Sequence, residues 1–358
     1  MLNRAGGAPT STQAAKQSLA SLTLVKRRPP KTSIVFDTYW RFAVERQEIL
    51  FRRVRGQRAP WTTDPILSQY KFTNAYRAVD RVSQYLIRRV IYSGPYDARD
   101  SVFRVLLFKL FNKIETWELL EHSHGELTAD HFDVNQFDRT LTAAIDSGAA
   151  IYSGAYIMPS GPASIRRPKK HRMHLELIAT LMRDNLTEQL LSARSMEQAY
   201  KVLLAIPGIG PFLAYQFVTD LNYSDHLGFS EMEFVVPGPG ARDGMRKCFC
   251  DLGDYSEAEA IRWAAERQTE EFASRGLRFS SLWGRPLQLI DCQNLFCEVD
   301  KYARVLHPEI SGYSGRTRIK QRFSANLTPL RPWFPPKWKI SGDVSRIEQP
   351  VSTGLLRG

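Results

Sequence analysis

Asp291, Asn294, Glu298 and Lys301 recur at steps of three, four and three residues. On a helix that spacing puts two carboxylates, an amide and an ammonium on one face. Such a face is equipped to move protons and to anchor a polar substrate. The same residues would equally form a solvated face laced by i,i+3 and i,i+4 ion pairs, and spacing alone leaves both readings open. Arg77, Asp80, Arg81, Gln84 and Arg88 form a second constellation at helical spacing. The forks of Arg77 and Arg81, with the ammonium of Lys301, suit a phosphate or pyrophosphate, and Asp80 would orient one guanidinium. The alternative is a surface helix with Asp–Arg pairs along itself. Asp220 ends the apolar stretch that begins at Pro211 and reads as a helix cap.

The elements that must carry these residues begin with a turn. In Leu204-Ala205-Ile206-Pro207-Gly208-Ile209-Gly210-Pro211-Phe212-Leu213-Ala214, one helix is expected to end and another to start at Pro211. Two glycines allow positive φ and close approach of a foreign backbone. The free amides of the second helix would then face an anion. Pro207, Gly208, Ile209 and Gly210 are therefore expected to hold a DNA phosphate without reading sequence. The run Arg166-Arg167-Pro168-Lys169-Lys170-His171-Arg172 has five basic residues in seven positions. Arg166, Arg167, Lys169 and Lys170 are expected to touch phosphates as well. A base reached by such a protein must leave the stack, and Tyr76, Tyr156 and Tyr215 are candidates to receive it.

The composition fits this reading. The chain has 358 residues, 43% of them hydrophobic, and 49 Lys and Arg against 37 Asp and Glu, a net charge of +12. An excess of that size points to a polyanion, here double-stranded DNA. Residues 26–58 hold ten basic residues against three acids, whereas 115–146 hold eight acids against one Arg. One basic face and one acidic face are expected. The four cysteines match no common zinc or iron–sulfur spacing and read as buried thiols. No cofactor motif, metal site, membrane-spanning run or secretory signal is evident, so a cytoplasmic location is expected. Residues 1–32 and 324–358 read as flexible tails. Between them, 33–323 shows helical periodicity almost throughout, including 74–92, 101–120, 211–222 and 287–306, so an all-α fold is expected.

The turn matches the helix-hairpin-helix pattern, apolar-Pro-Gly-apolar-Gly-x-x-x-Ala, and resembles that of the base-excision DNA glycosylases. In those enzymes a catalytic Asp follows the hairpin by roughly twenty residues, which here points to Glu231 and Glu233. The lyase Lys of the bifunctional members falls at Phe212, so Schiff-base chemistry is not supported. Further segments narrow the resemblance: Trp61-Thr62-Thr63-Asp64-Pro65, Tyr70-Lys71-Phe72-Thr73-Asn74-Ala75-Tyr76-Arg77, Pro237-Gly238-Pro239-Gly240-Ala241-Arg242-Asp243-Gly244 and Asp291-Cys292-Gln293-Asn294-Leu295-Phe296-Cys297-Glu298. Together they resemble the helical domain of the 5-hydroxymethyluracil DNA kinases, which is related to the α-glutamyl/putrescinyl thymine pyrophosphorylases, over roughly 33–323.

The resemblance implies a DNA-glycosylase-like helical fold working on modified thymines. It implies a base hypermodification enzyme acting on a flipped 5-hydroxymethyluracil-type base, with Glu231 or Glu233, Asp291 and Glu298 as acid/base groups. One departure matters: no G-x-x-x-x-G-K-[ST] loop occurs in the sequence. A P-loop kinase is therefore a second candidate partner. Two alternatives stand beside the enzyme: a non-catalytic DNA-binding module serving that kinase, and a monofunctional glycosylase.

Overall fold

A computed structural model describes residues 27–154 and 169–340, so Tyr156, Arg166 and Arg167 lie outside the described residues. The expectation of a mostly helical chain holds. In order come α1 (Ile34–Val54), α2 (Pro65–Gln69), α3 (Arg81–Tyr85), α4 (Ala98–Phe111), α5 (Ile114–His124), α6 (Val134–Asp146) and α7 (Lys170–Arg183). Then follow α8 (Leu186–Leu191), α9 (Met196–Leu204), α10 (Pro211–Leu221), α11 (Pro239–Cys248), α12 (Glu257–Glu266), α13 (Gln268–Ser274) and α14 (Leu289–Leu306). The one sheet among the described residues pairs β1 (Lys31–Thr32) antiparallel with β2 (Phe249–Asp251).

Local chemistry explains many of the starts. Ser33, Asp64, Asp97, Asp133 and Ser195 each accept a backbone amide at the head of the helix they precede. Ser256 and Glu259 form a reciprocal capping box on α12. Helix α14 runs through the core with α1, α11 and α12 packed on it. Helix α11 comes closest because Gly244 has no side chain: a Cβ there would strike the Phe296 backbone. Helix α4 is buried from Ser101 to Phe111, as its apolar run requires. It stops at Asn112, which takes a left-handed conformation with φ 48°, so the helix expected over 101–120 is two helices.

The helix expected over 74–92 is also divided. A 3₁₀ turn (Arg77–Val79), α3 and a π-helical turn (Leu86–Ile91) follow one another. The amides of Thr73, Asn74 and Arg77 donate to side-chain carboxylates, not to carbonyls one turn back. Arg77 and Arg81 consequently do not share a helix face. Residues grouped with the tails on composition are also docked. The Arg28 amide donates to Asp254 Oδ2 at 2.6 Å, and Phe334 is buried against Trp283. No helix of the described residues is long and apolar enough to cross a membrane.

Candidate functional site

The glycine turn stands at the surface. Ile206 and Ile209 point into the core, while Pro207, Gly208, Gly210 and Pro211 are exposed. Gly208 has φ +87°, a conformation that disfavours any side chain. Gly210 is the N-cap of α10, with Pro211 next, and no side chain caps the helix start. Nothing lies within 4 Å of a Cβ built on Gly210. Helix α11 also starts without a side-chain cap, with Gly238 as N-cap and Pro239 next, but Gly238 is buried. The two openings adjoin, since a Cβ on Gly238 would meet the Phe212 ring at 2.8 Å and the Gln293 amide at 3.4 Å.

Asp291 and Glu298, two turns apart on α14, clamp the segment 73–77 along that helix. Asp291 Oδ1 accepts the Arg77 amide at 2.8 Å, and Glu298 Oε2 accepts the Thr73 amide at 2.9 Å. Asp291 Oδ2 also accepts the Gln288 amide at 3.0 Å. Burial pushes the Asp291 carboxyl up to about 7 against those two amides, with the charge of Glu231 adding to the rise. Lys301 stands 2.6 Å from Glu298 and faces the Phe72 ring, so its ammonium is already paired. This face is thus neither a solvated one nor an open row of acids: it is mostly occupied in holding a loop.

Asp80, expected to orient a guanidinium, serves Asn74 instead and was missed as an acid/base candidate. It is half-buried, and its Oδ1 accepts both the amide and the Nδ2 of Asn74 at 2.8 and 3.1 Å. Although it precedes α3, its side chain does not cap that helix. Burial raises it to about 7, with the charge of Glu298 adding and the Asn74 amide opposing. A carboxyl titrating near neutrality exchanges protons at working pH. The consequence for stability has a definite sign. The folded value lies above the ordinary 3.8, so the stability it contributes is whole below about 4 and lost as pH rises through 7. Asp80→Asn keeps an acceptor for Asn74 and cannot ionise. It should match the wild type in urea midpoint at pH 4 and exceed it at pH 8. A variant weaker than wild type at pH 8 would refute this.

Arg77 is not available to an external phosphate in the arrangement observed. Its Nη1 lies 2.6 Å from Asp220 Oδ1 and 2.9 Å from the Tyr223 hydroxyl. Lys109 approaches the other oxygen of Asp220 at 2.9 Å, and all three side chains are buried. Asp220 is thus a buried counter-ion, and its carboxylate does not cap α10. A lone lysine within the apolar run of α4 was the signal that a buried anion had to meet it. Arg81 is exposed and sits 4.0 Å from Glu115.

The remaining predicted residues are dispersed. Glu231 is paired with Arg285 at 2.6 Å, within electrostatic reach of Asp291. Glu233 accepts the Met196 amide at 3.0 Å and so serves the start of α9. Tyr76 and Tyr215 are core residues, the first donating to the Arg285 carbonyl at 2.6 Å. Lys169 donates to Thr142 at 3.0 Å and Lys170 stands over the Tyr152 ring at 4.8 Å. Both rim a hollow of about 420 Å³ with Ile145 and Ile151 in its wall. Among the cysteines, Cys248 and Cys292 are buried, whereas Cys250 is exposed on β2.

These features define a mostly helical domain with a polar centre along one face of its core helix. The family model described as "5-hmdU DNA kinase, helical domain" matches residues 33–312, and the chain belongs to that family. It is similar to the 5-hmdU DNA kinase of Bacillus phage SP10, with 28% identity over 295 residues, 77% of this chain. Those residues cover 46% of that kinase, so the chain spans about half the length of the curated relative it matches. No solved structure matches it.

Proposed function

We propose that this chain binds double-stranded DNA through a helix-hairpin-helix and acts on an extruded 5-hydroxymethyluracil-type base. The observation that carries the reading is the exposed, uncapped turn Pro207–Gly210, whose neighbour at Gly238 leads to the polar face of α14. Open amides at a helix start suit a phosphate, and the net charge of +12 favours the polyanion. Lys169 and Lys170, with Arg166 and Arg167, extend the grip. Family membership supports the base, because the relative is named for 5-hmdU.

The chemistry would sit at the 5-hydroxymethyl group. Glu231, held by Arg285, is the acid/base group we favour, with Asp291 beside it. Glu233 and Glu298 are committed to backbone amides and would act as positioning groups. Arg77 would act through the charge network behind the site.

The test is to incubate the protein with 5-hydroxymethyluracil DNA or its pyrophosphorylated form, digest to nucleosides and weigh them. A new base mass is expected. Glu231→Gln should lower turnover by about 10²–10⁴-fold while DNA binding persists. Unchanged turnover would remove Glu231, and abasic sites would mean a glycosylase. A second reading rests on one observation: the 358 residues contain no P-loop motif. On that reading it is a DNA-binding module for a separate P-loop kinase. Tight DNA binding without any new mass would favour it.

A further inference from the structure

Residues 330–340 cross the body as a strap and end at the Glu231–Arg285 pair. Gln84 holds the strap by both backbone groups of one residue: its Oε1 accepts the Trp333 amide at 2.8 Å, and its Nε2 donates to the Trp333 carbonyl at 3.0 Å. Phe334 is buried against Trp283 at 5.5 Å between ring centres. The Lys337 ammonium donates to the carbonyls of Asn222, Ser224 and Leu227, just past the end of α10. The next residue, Trp338, lies flat on Arg285, whose Cζ is 3.9 Å from the ring centre. Phe334 of the same strap stacks on it at 6.2 Å and 27°, and Tyr223 meets it edge-on at 5.7 Å and 78°.

The two neighbours outside the strap, Arg285 and Tyr223, are held without it. Arg285 is fixed by Glu231 at 2.6 Å, and the Tyr223 hydroxyl accepts from the buried Arg77 at 2.9 Å. A guanidinium on one side and an aromatic edge on the other make a slot for a flat π system. Nucleobases stack in such slots whatever their sequence.

We propose that Arg285 and Tyr223 wall a slot for a pyrimidine base extruded from DNA, and that Trp338 of the strap fills it until the base arrives. The proposal rests on the DNA-base reading above and names where the base goes. Base entry then requires Trp338 to leave, which draws Lys337 from its carbonyl cage. Burial lowers the Lys337 ammonium to about 8. The strap thereby competes with its ligand, and this sets a threshold for binding.

The experiment uses the full chain in two arms. In the first, wild type and Trp338→Ala are titrated with duplex containing one 5-hydroxymethyluracil opposite a mismatch, and with the free nucleoside monophosphate. Removing an aromatic competitor worth about 0.5–1.5 kcal/mol should tighten DNA binding about 2- to 10-fold. Trp338→Ala combined with Arg285→Ala should lose that gain. In the second, wild type alone is digested with trypsin with and without the duplex. Cleavage after Lys337 and Lys339 should accelerate when DNA is bound, and this arm does not depend on any variant folding. Unchanged or weaker binding by a folded Trp338→Ala, or a strap equally protected with DNA bound, would overturn the slot and leave the DNA reading intact. Tighter binding of the free nucleotide with none of the DNA would overturn its source. Failure of every form to bind DNA would overturn both.

Discussion

Asp220→Ala is expected to unfold the protein near neutral pH or to cost about 3–5 kcal/mol of stability. Asp220 has no solvent exposure, and its two oxygens meet Arg77 at 2.6 Å and Lys109 at 2.9 Å. Burial alone would raise this carboxyl, but the two cations outweigh burial and hold it below its ordinary value. Removing it takes away the anion that Arg77 and Lys109 share in the buried interior. The neutral acceptors Tyr223 and Asn112 beside them do not replace that charge. Because the folded value is depressed, this stability is present above the unfolded value near 4 and is lost as pH falls through the folded one. Urea denaturation of wild type and variant at pH 7 measures the effect. A loss under about 1 kcal/mol would show that water or rearrangement solvates the pair, contrary to the burial described here.

Gly210→Glu should abolish most DNA binding while leaving the fold intact. Gly210 has φ −81°, open to any residue, and nothing would meet its Cβ. A carboxylate there stands at the positive end of α10 and repels a phosphate from the same place. The helix should gain about 0.3–1 kcal/mol from that charge. DNA affinity should drop about tenfold or more, equivalent to about 1.4 kcal/mol. Loss of one phosphate contact should also make the slope of log affinity against log salt about one unit shallower. Fluorescence anisotropy across a salt series measures both quantities. Unchanged affinity and slope in a folded variant would move the DNA interface away from the hairpin.

The parts legible in the sequence were those set by neighbours along the chain. Pro207, Gly208, Gly210 and Pro211 announce a tight turn and a helix start through backbone restrictions that each residue carries itself. The all-round apolar run of α4 announces burial. The steps between Asp291, Asn294, Glu298 and Lys301 place them on one face, because helical pitch is local. Resemblance in these same segments pointed to the family, whose model matches residues 33–312.

Tertiary structure decided what that face does. Periodicity over 74–92 could not reveal that Thr73, Asn74 and Arg77 would give their amides to carboxylates. The donors and acceptors of the two bonds to α14 are 225 and 214 residues apart. The titration of Asp80 near neutrality likewise comes from burial beside Glu298. Arg77 reads as a phosphate ligand by type, yet its partner Asp220 is 143 residues away. Pro335, Lys337 and Trp338 look like tail composition until Asn222, Ser224, Leu227 and Arg285 are brought beneath them. Local pattern determines which residues share an element and which backbone bends are allowed. Only packing determines which charge is buried against which, because desolvation and pairing depend on distance in space.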